Sequence, residues 1–206
     1  MEGIQPTMNN EQIEFWNKLK RRHLDDIDKC LAINANYAAT KTMLSFIDVL
    51  GSFYCGLIES NKNYYIPVSA ESNIKKPAII NGKKYKRSGS GQCFVKFTKK
   101  YLGGIFKYKI KVGGKFVSAS EILYNHFRCG MIHEGHSKYG TGIFRENLGA
   151  LFIPDINGLE IALNILALRD TLRNATFNYE NDLLLPKDPF IYERWFERYN
   201  YLTNPH

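Results

Sequence analysis

Apolar residues recur at helical spacing in four long stretches of this 206-residue chain, two towards each end, and every such stripe has to be buried against another element. Ile13, Trp16, Leu24, Ile27 and Leu31 predict a first helix over about Asn10 to Asn34, with Asn9 and Asn10 as candidate caps. Leu44, Ile47, Leu50, Phe53, Tyr54 and Leu57 predict a second over about Thr40 to Glu59. Leu159, Ala162, Ile165, Leu166, Leu172 and Ala175 predict a third long helix over about Ile156 to Tyr179. Asp188-Pro189, a cap followed by a first-turn proline, opens an aromatic helix carrying Phe190, Trp195, Phe196, Tyr199 and Leu202. Stripes of this kind predict a mainly α fold, an up-and-down helical bundle forming one domain over residues 1–206.

The middle of the chain is different. Pro67, Pro77, Gly82 and Gly89 break the helical pattern, and Asn81-Gly82 is a favoured two-residue hairpin turn between Ala78 and Lys86. Ser88 to Leu102 returns to helix through Phe94, Phe97 and Tyr101. Phe106, Tyr108, Ile110 and Val112 then alternate with Lys107, Lys109 and Lys111, a strand with one apolar and one cationic face that turns back through Lys115 to Val117. Residues 61–117 thus read as a basic, partly β insertion between bundle helices.

Charge is segregated as sharply as hydrophobicity. From Ser72 to Ser120 there is no Asp or Glu, while 12 Lys and Arg87 give that stretch +13, against a net of +8 for the whole chain. The remainder is therefore acidic, at −5. Such a segment draws polyanions, and the aromatics interleaved with its lysines suit nucleic acid; a solvated lysine face or an acidic protein partner is the competing reading.

Other classes find little support. Met1 to Asn10 is polar and lacks a signal peptide's apolar core, and no apolar run reaches the length of a membrane span, so a cytoplasmic protein without a membrane partner is expected. Cys30, Cys55, Cys93 and Cys129 lie far apart, which fits reduced, packed thiols rather than a disulfide framework. His133 and His136 fall in His-Glu-Gly-His, not the His-Glu-x-x-His of metalloproteases, and no metal or cofactor is expected.

Chemistry concentrates in residues 123–135, where Ser118 or Ser120 caps a helix ending near Glu134 and followed by Gly135, Gly140 and Gly142. Arg128 and His133 are separated by four residues. A guanidinium can grip a phosphate through paired donors, and an imidazole can take the proton from a 2′-hydroxyl that attacks the adjacent phosphorus. On an ideal helix the two side chains lie about 140° apart, so they meet on one phosphate only where the helix frays or across a dimer axis. Ile122, Leu123, Phe127, Gly130 and Met131 share the core face, whereas Tyr124, Arg128 and Ile132 form a second stripe that fits a dimer interface through Tyr124 and Ile132. Alternatively, His133 caps the helix C-terminus, or Arg128 pairs with Glu134 or another carboxylate. His126 and His23 read as packing residues.

The run Leu-Tyr, Arg, Gly-x-x-His-Glu-Gly over thirteen residues resembles the HEPN superfamily, whose hallmark is Arg, a short spacer, then His, and is most similar to its abortive-infection proteins. The resemblance implies a homodimeric helical bundle acting as a metal-independent endoribonuclease, with Arg128 on the phosphate and His133 as base. It also implies a role in phage defence or a toxin–antitoxin system, with an antitoxin protein as a possible partner. His136, Lys138, Lys107, Lys109 and Lys111 would then guide RNA. Cys129 departs from the polar residue that family nucleases carry after the Arg. The alternative is a non-catalytic helical dimeric module that binds RNA, a nucleotide or a protein partner.

Overall fold

A computed structural model describes residues 7–68, 77–112, 114–134, 137–138, 140–146, 149–156, 158–185 and 188–204. Helix α1 (Asn10–Ala32) opens at a capping box in which Asn9 and Gln12 each accept the other's backbone N–H. Helix α2 (Asn36–Cys55) ends at Gly56, whose φ of 65° makes a left-handed stop. Two hairpin strands follow, β1 (Ile58–Ser60) and β2 (Asn63–Pro67), then β3 (Ala78–Ile80) and β4 (Lys83–Ser88). Helix α3 (Ser90–Tyr101) and a 3-10 turn at Gly104–Lys107 lead into the hairpin β5 (Lys109–Val112) and β6 (Lys115–Ser118). A short α4 (Ala119–Ile122) runs directly into π-helical segments at Leu123–Arg128 and Gly130–Glu134. Strands β7 (Thr141–Phe144), β8 (Phe152–Ile156) and β9 (Leu159–Asn164) precede α5 (Ile165–Leu184) and α6 (Pro189–Thr203).

The expected up-and-down helical bundle is therefore corrected. The described residues hold nine strands in three sheets, a mixed α/β fold. One sheet is antiparallel in the order β1-β2-β4-β3 and curls into a half-barrel. The second is the β5–β6 hairpin, and the third has the order β7-β9-β8 with β7 parallel to β9. The β3–β4 and β5–β6 hairpins fall where the sequence placed them, and two local causes hid β9 and β1. Ile161, Ala162, Leu163 and Asn164 at the centre of the third sheet are all buried, and they run without a break into the apolar stripe of α5. A strand buried on both faces shows no alternation to separate it from a helix. The true start is Asn164, whose side chain accepts the Leu166 N–H. The second predicted helix likewise ends four residues before Glu59, because Gly56 stops it and Ile58 begins β1.

The anticipated hairpin at Asn81-Gly82 is present, with φ of 49° and 75° at its two turn residues. Nothing lies within 4 Å of a Cβ built on Gly82. Gly82→Ala therefore meets only the backbone penalty of a positive φ, and a loss of about 1 kcal/mol in chemical denaturation is expected.

Helices α1, α2, α3, α5 and α6 enclose a core of large side chains in which Trp16, Phe46, Phe53, Phe94, Phe97, Tyr179 and Trp195 are fully buried. Trp195 stacks at 5.9 Å on Phe53, and Tyr179 meets Phe97 edge-on at 5.6 Å. Helix α3, which lies inside the basic stretch, is thus a core element. Its Lys99 and Lys100 stay on the outside.

Candidate active site

Of the two expected caps, Ser118 is the one that forms, as a capping box: its hydroxyl accepts the Glu121 N–H, and the Glu121 carboxylate accepts the Ser118 N–H at 3.4 Å. From this start Ile122, Leu123, Phe127 and Met131 point into the core, as the spacing predicted. The helix that carries them is not an α-helix beyond Ile122. Its backbone bonds span five residues, as between the Cys129 N–H and the Tyr124 carbonyl. An i to i+5 ladder turns less per residue than an α-helix, so it swings residues five apart towards a common side. That change narrows the expected 140° separation of Arg128 and His133.

Arg128 Nη1 donates to His133 Nε2 at 2.8 Å. A guanidinium has no acceptor, so Nε2 holds the lone pair and Nδ1 carries the imidazole proton in this arrangement. On its other side Arg128 Nη2 donates to Asp48 Oδ2 at 2.7 Å. The guanidinium also lies over the Tyr124 ring, 5.5 Å from its centroid. Tyr124 is itself wedged against α3, 5.3 Å from Phe94, and a Cβ on Gly91 would fall 2.5 Å from its ring. Asp48 of α2 and Tyr124 of the π segment, the latter backed by α3, thus hold the arginine from two sides and leave its Nη1 edge at the exposed imidazole.

Burial opposes the Arg128 charge, but the Asp48 hydrogen bond and the Asp48 charge outweigh it and hold the guanidinium above its ordinary value. Burial also pushes the Tyr124 phenol up. Arg128 Nε and Asp48 Oδ1 are buried with no hydrogen-bond partner among the described residues. The carboxylate partner weighed for Arg128 exists, but it is Asp48, which the motif does not contain. Asp48 is the sole acid in an otherwise largely apolar α2, and that isolation was its one sequence signal.

The other expected residues are spread more widely. Lys107, Lys109 and Lys111 are exposed on and just before β5, and Ile132 is half-buried on the π segment. Tyr124, expected at a dimer interface, makes its ring contacts within its own chain. Lys138 is half-buried beyond the π segment, its N–H donating to the His126 carbonyl. His136 lies outside the described residues. The stretch after His133 is tied back by the Ser137 N–H, which donates to the Tyr37 hydroxyl at 3.2 Å. His126 is half-buried, and burial with the Lys138 charge holds its pKa below the ordinary value. His23 stacks on Phe46 at 4.5 Å, in keeping with a packing role.

The four described cysteines are free, and among the described residues no group of three His, Cys, Asp or Glu is placed to hold a metal ion. No described helix is long and apolar enough to cross a membrane. A cavity of about 1230 Å³ lies away from the arginine, between the half-barrel and α6, with Tyr54, Lys86, Lys96, Phe190 and Arg194 in its wall. Part of its charge is matched internally, by Lys83 with Glu197 at 2.6 Å and Arg194 with Asp188 at 3.5 Å. None of the expected site residues lines it. Comparison with family models, with curated proteins and with solved structures finds no match for this chain.

Proposed function

We propose that this chain cleaves RNA without a metal ion, with Arg128 holding the scissile phosphate and His133 acting as base, as its resemblance to HEPN nucleases implies. The observation that carries the reading is the 2.8 Å contact between Arg128 Nη1 and His133 Nε2 within one chain. A base and an anion-binding donor sit side by side, so both can reach one ribose phosphate that enters between them.

The chemistry follows from these groups. A phosphate oxygen arriving between the two side chains takes over the Nη1 hydrogen bond and frees the Nε2 lone pair. Nε2 then accepts the 2′-hydroxyl proton as O2′ bonds to phosphorus. The P–O5′ bond breaks, the departing 5′ oxygen takes a proton from water, and a 2′,3′-cyclic phosphate and a 5′-hydroxyl remain. Arg128 offsets the charge that builds on the non-bridging oxygens. Asp48 and Tyr124 keep the guanidinium from turning away, so its orientation is set before RNA arrives. Because the pair meets within one chain, a homodimer is compatible with this reading but not required by it. Lys107, Lys109 and Lys111 lie upstream of the same element and supply the cationic track.

Incubating the purified protein with total RNA in excess EDTA tests the proposal. Fragments ending in 2′,3′-cyclic phosphate are expected. Intact RNA after prolonged incubation, with the protein still retaining RNA in a gel at near-physiological salt, would replace the nuclease by a non-catalytic RNA-binding module.

A further inference from the structure

The β5–β6 hairpin carries surface that the fold does not use. Its inner face is formed by Ile110, Val112 and Val117, with Val112 buried. Lys111 stands directly across from Phe116, and Lys109 across from Ser118, so both lysines and the phenyl ring share the outer face. The Phe116 ring is 70% exposed. A lone exposed aromatic needs no explanation, but a phenyl ring set beside Lys109 and Lys111 on one face, in a stretch with no acid between Ser72 and Ser120, forms a patch of defined chemistry. A flat apolar ring beside cations matches a ligand that alternates flat bases with phosphates. Charge complementarity therefore selects a nucleic acid over an apolar protein surface.

We infer that this hairpin is a stacking platform for single-stranded RNA, with Phe116 receiving a base while Lys109 and Lys111 hold the phosphates beside it. The inference rests on RNA being the substrate, and it adds which form of RNA. Bases within a duplex are stacked on one another and present no free face, so the ring contributes only when the strand is unpaired. The hairpin leads through the Ser118 cap into the element carrying Arg128 and His133.

Fluorescence anisotropy with a labelled 12-nucleotide RNA, alone and annealed to its complement, separates the possibilities when made on full-length His133→Ala protein so that the probe stays intact. The single strand is expected to bind more tightly, by about tenfold. Phe116→Ala should remove most of that advantage while leaving the slope of affinity against salt unchanged. Lys111→Ala should lower the slope by about one. The exposure of Phe116 means its removal leaves the core intact, which an unchanged melting temperature verifies. Equal or tighter binding of the duplex overturns the inference, as does unchanged single-strand affinity in Phe116→Ala. Loss of self-association in that variant with RNA affinity intact would assign the patch to a second copy instead. Binding is read independently of cleavage, so a wild-type protein that prefers single strands but cuts nothing would remove the nuclease reading and keep the platform.

Discussion

His133→Ala is expected to lower the rate of RNA cleavage by about 10²- to 10⁴-fold, the usual contribution of a positioned general base. Arg128→Ala should fall at least as far, because it removes both the phosphate donor and the group that holds the imidazole at 2.8 Å. The two losses should not add in the double variant, since each disables the same unit. Asp48 separates positioning from chemistry. It accepts from Nη2 on the side of the guanidinium away from His133, so it touches Arg128 rather than the reacting atoms. Asp48→Asn keeps an acceptor at that place, and a smaller fall is expected, largely in kcat. Asp48→Ala leaves the arginine unpaired in a site where the two side chains are only 15% and 20% exposed. Breaking a fully buried pair costs about 3–5 kcal/mol, so about 2 kcal/mol is expected here, with cleavage close to that of Arg128→Ala. Rates on one RNA oligonucleotide together with thermal melts of all five variants read both effects. Full activity in Arg128→Ala would remove the arginine from the mechanism.

How much of this site was legible in the chain depended on what kind of signal each part leaves. Ser118, Asn9 and Asp188 act through side chains that cap their own helices, so local spacing singled out Asp188 and narrowed the other two caps to Ser118 or Ser120 and Asn9 or Asn10. Asn81-Gly82 was equally plain, because few other residue pairs accept two positive φ angles in succession. The apolar residues of the 119–134 element left no mark of its π winding. Leu123, Phe127 and Met131 are four apart, a spacing that an α-helix also buries on one face. The meeting of Arg128 with His133 therefore could not be derived from periodicity, which placed them on different faces. Asp48 stands 80 residues from the arginine it orients, and only packing of α2 against the π segment brings them together. The strands were lost for a related reason. β1 is three residues long, too short to show a period, and β9 is buried from Ile161 to Asn164.

The same packing predicts a large effect from one methyl group. Gly51 lies where α2 crosses α3, and a Cβ there would stand 2.9 Å from both the carbon and the oxygen of the Cys93 carbonyl and 3.0 Å from the Phe94 nitrogen. All three are backbone atoms, so no side chain can swing aside and the helices themselves must separate. Two effects oppose each other in Gly51→Ala. Alanine favours the helix over glycine by about 1 kcal/mol. Forcing apart two close-packed helices costs about 3 kcal/mol, as overpacking of a filled core does. The clash should win, with a net loss of about 2 kcal/mol, read as a lower denaturation midpoint at unchanged slope. Asp48 precedes Gly51 by one turn on α2, and Gly91, which cradles Tyr124, precedes Cys93 on α3. Separation at this crossing therefore moves Asp48 away from Tyr124, and with them the two walls that hold Arg128. Cleavage is expected to fall in Gly51→Ala even at temperatures where the protein remains folded, although Gly51 touches neither Arg128 nor His133. A variant as stable as the parent would mean that α2 and α3 approach less closely than 2.9 Å demands. A variant that is destabilised yet cleaves at the full rate would show that the arginine clamp does not depend on this crossing.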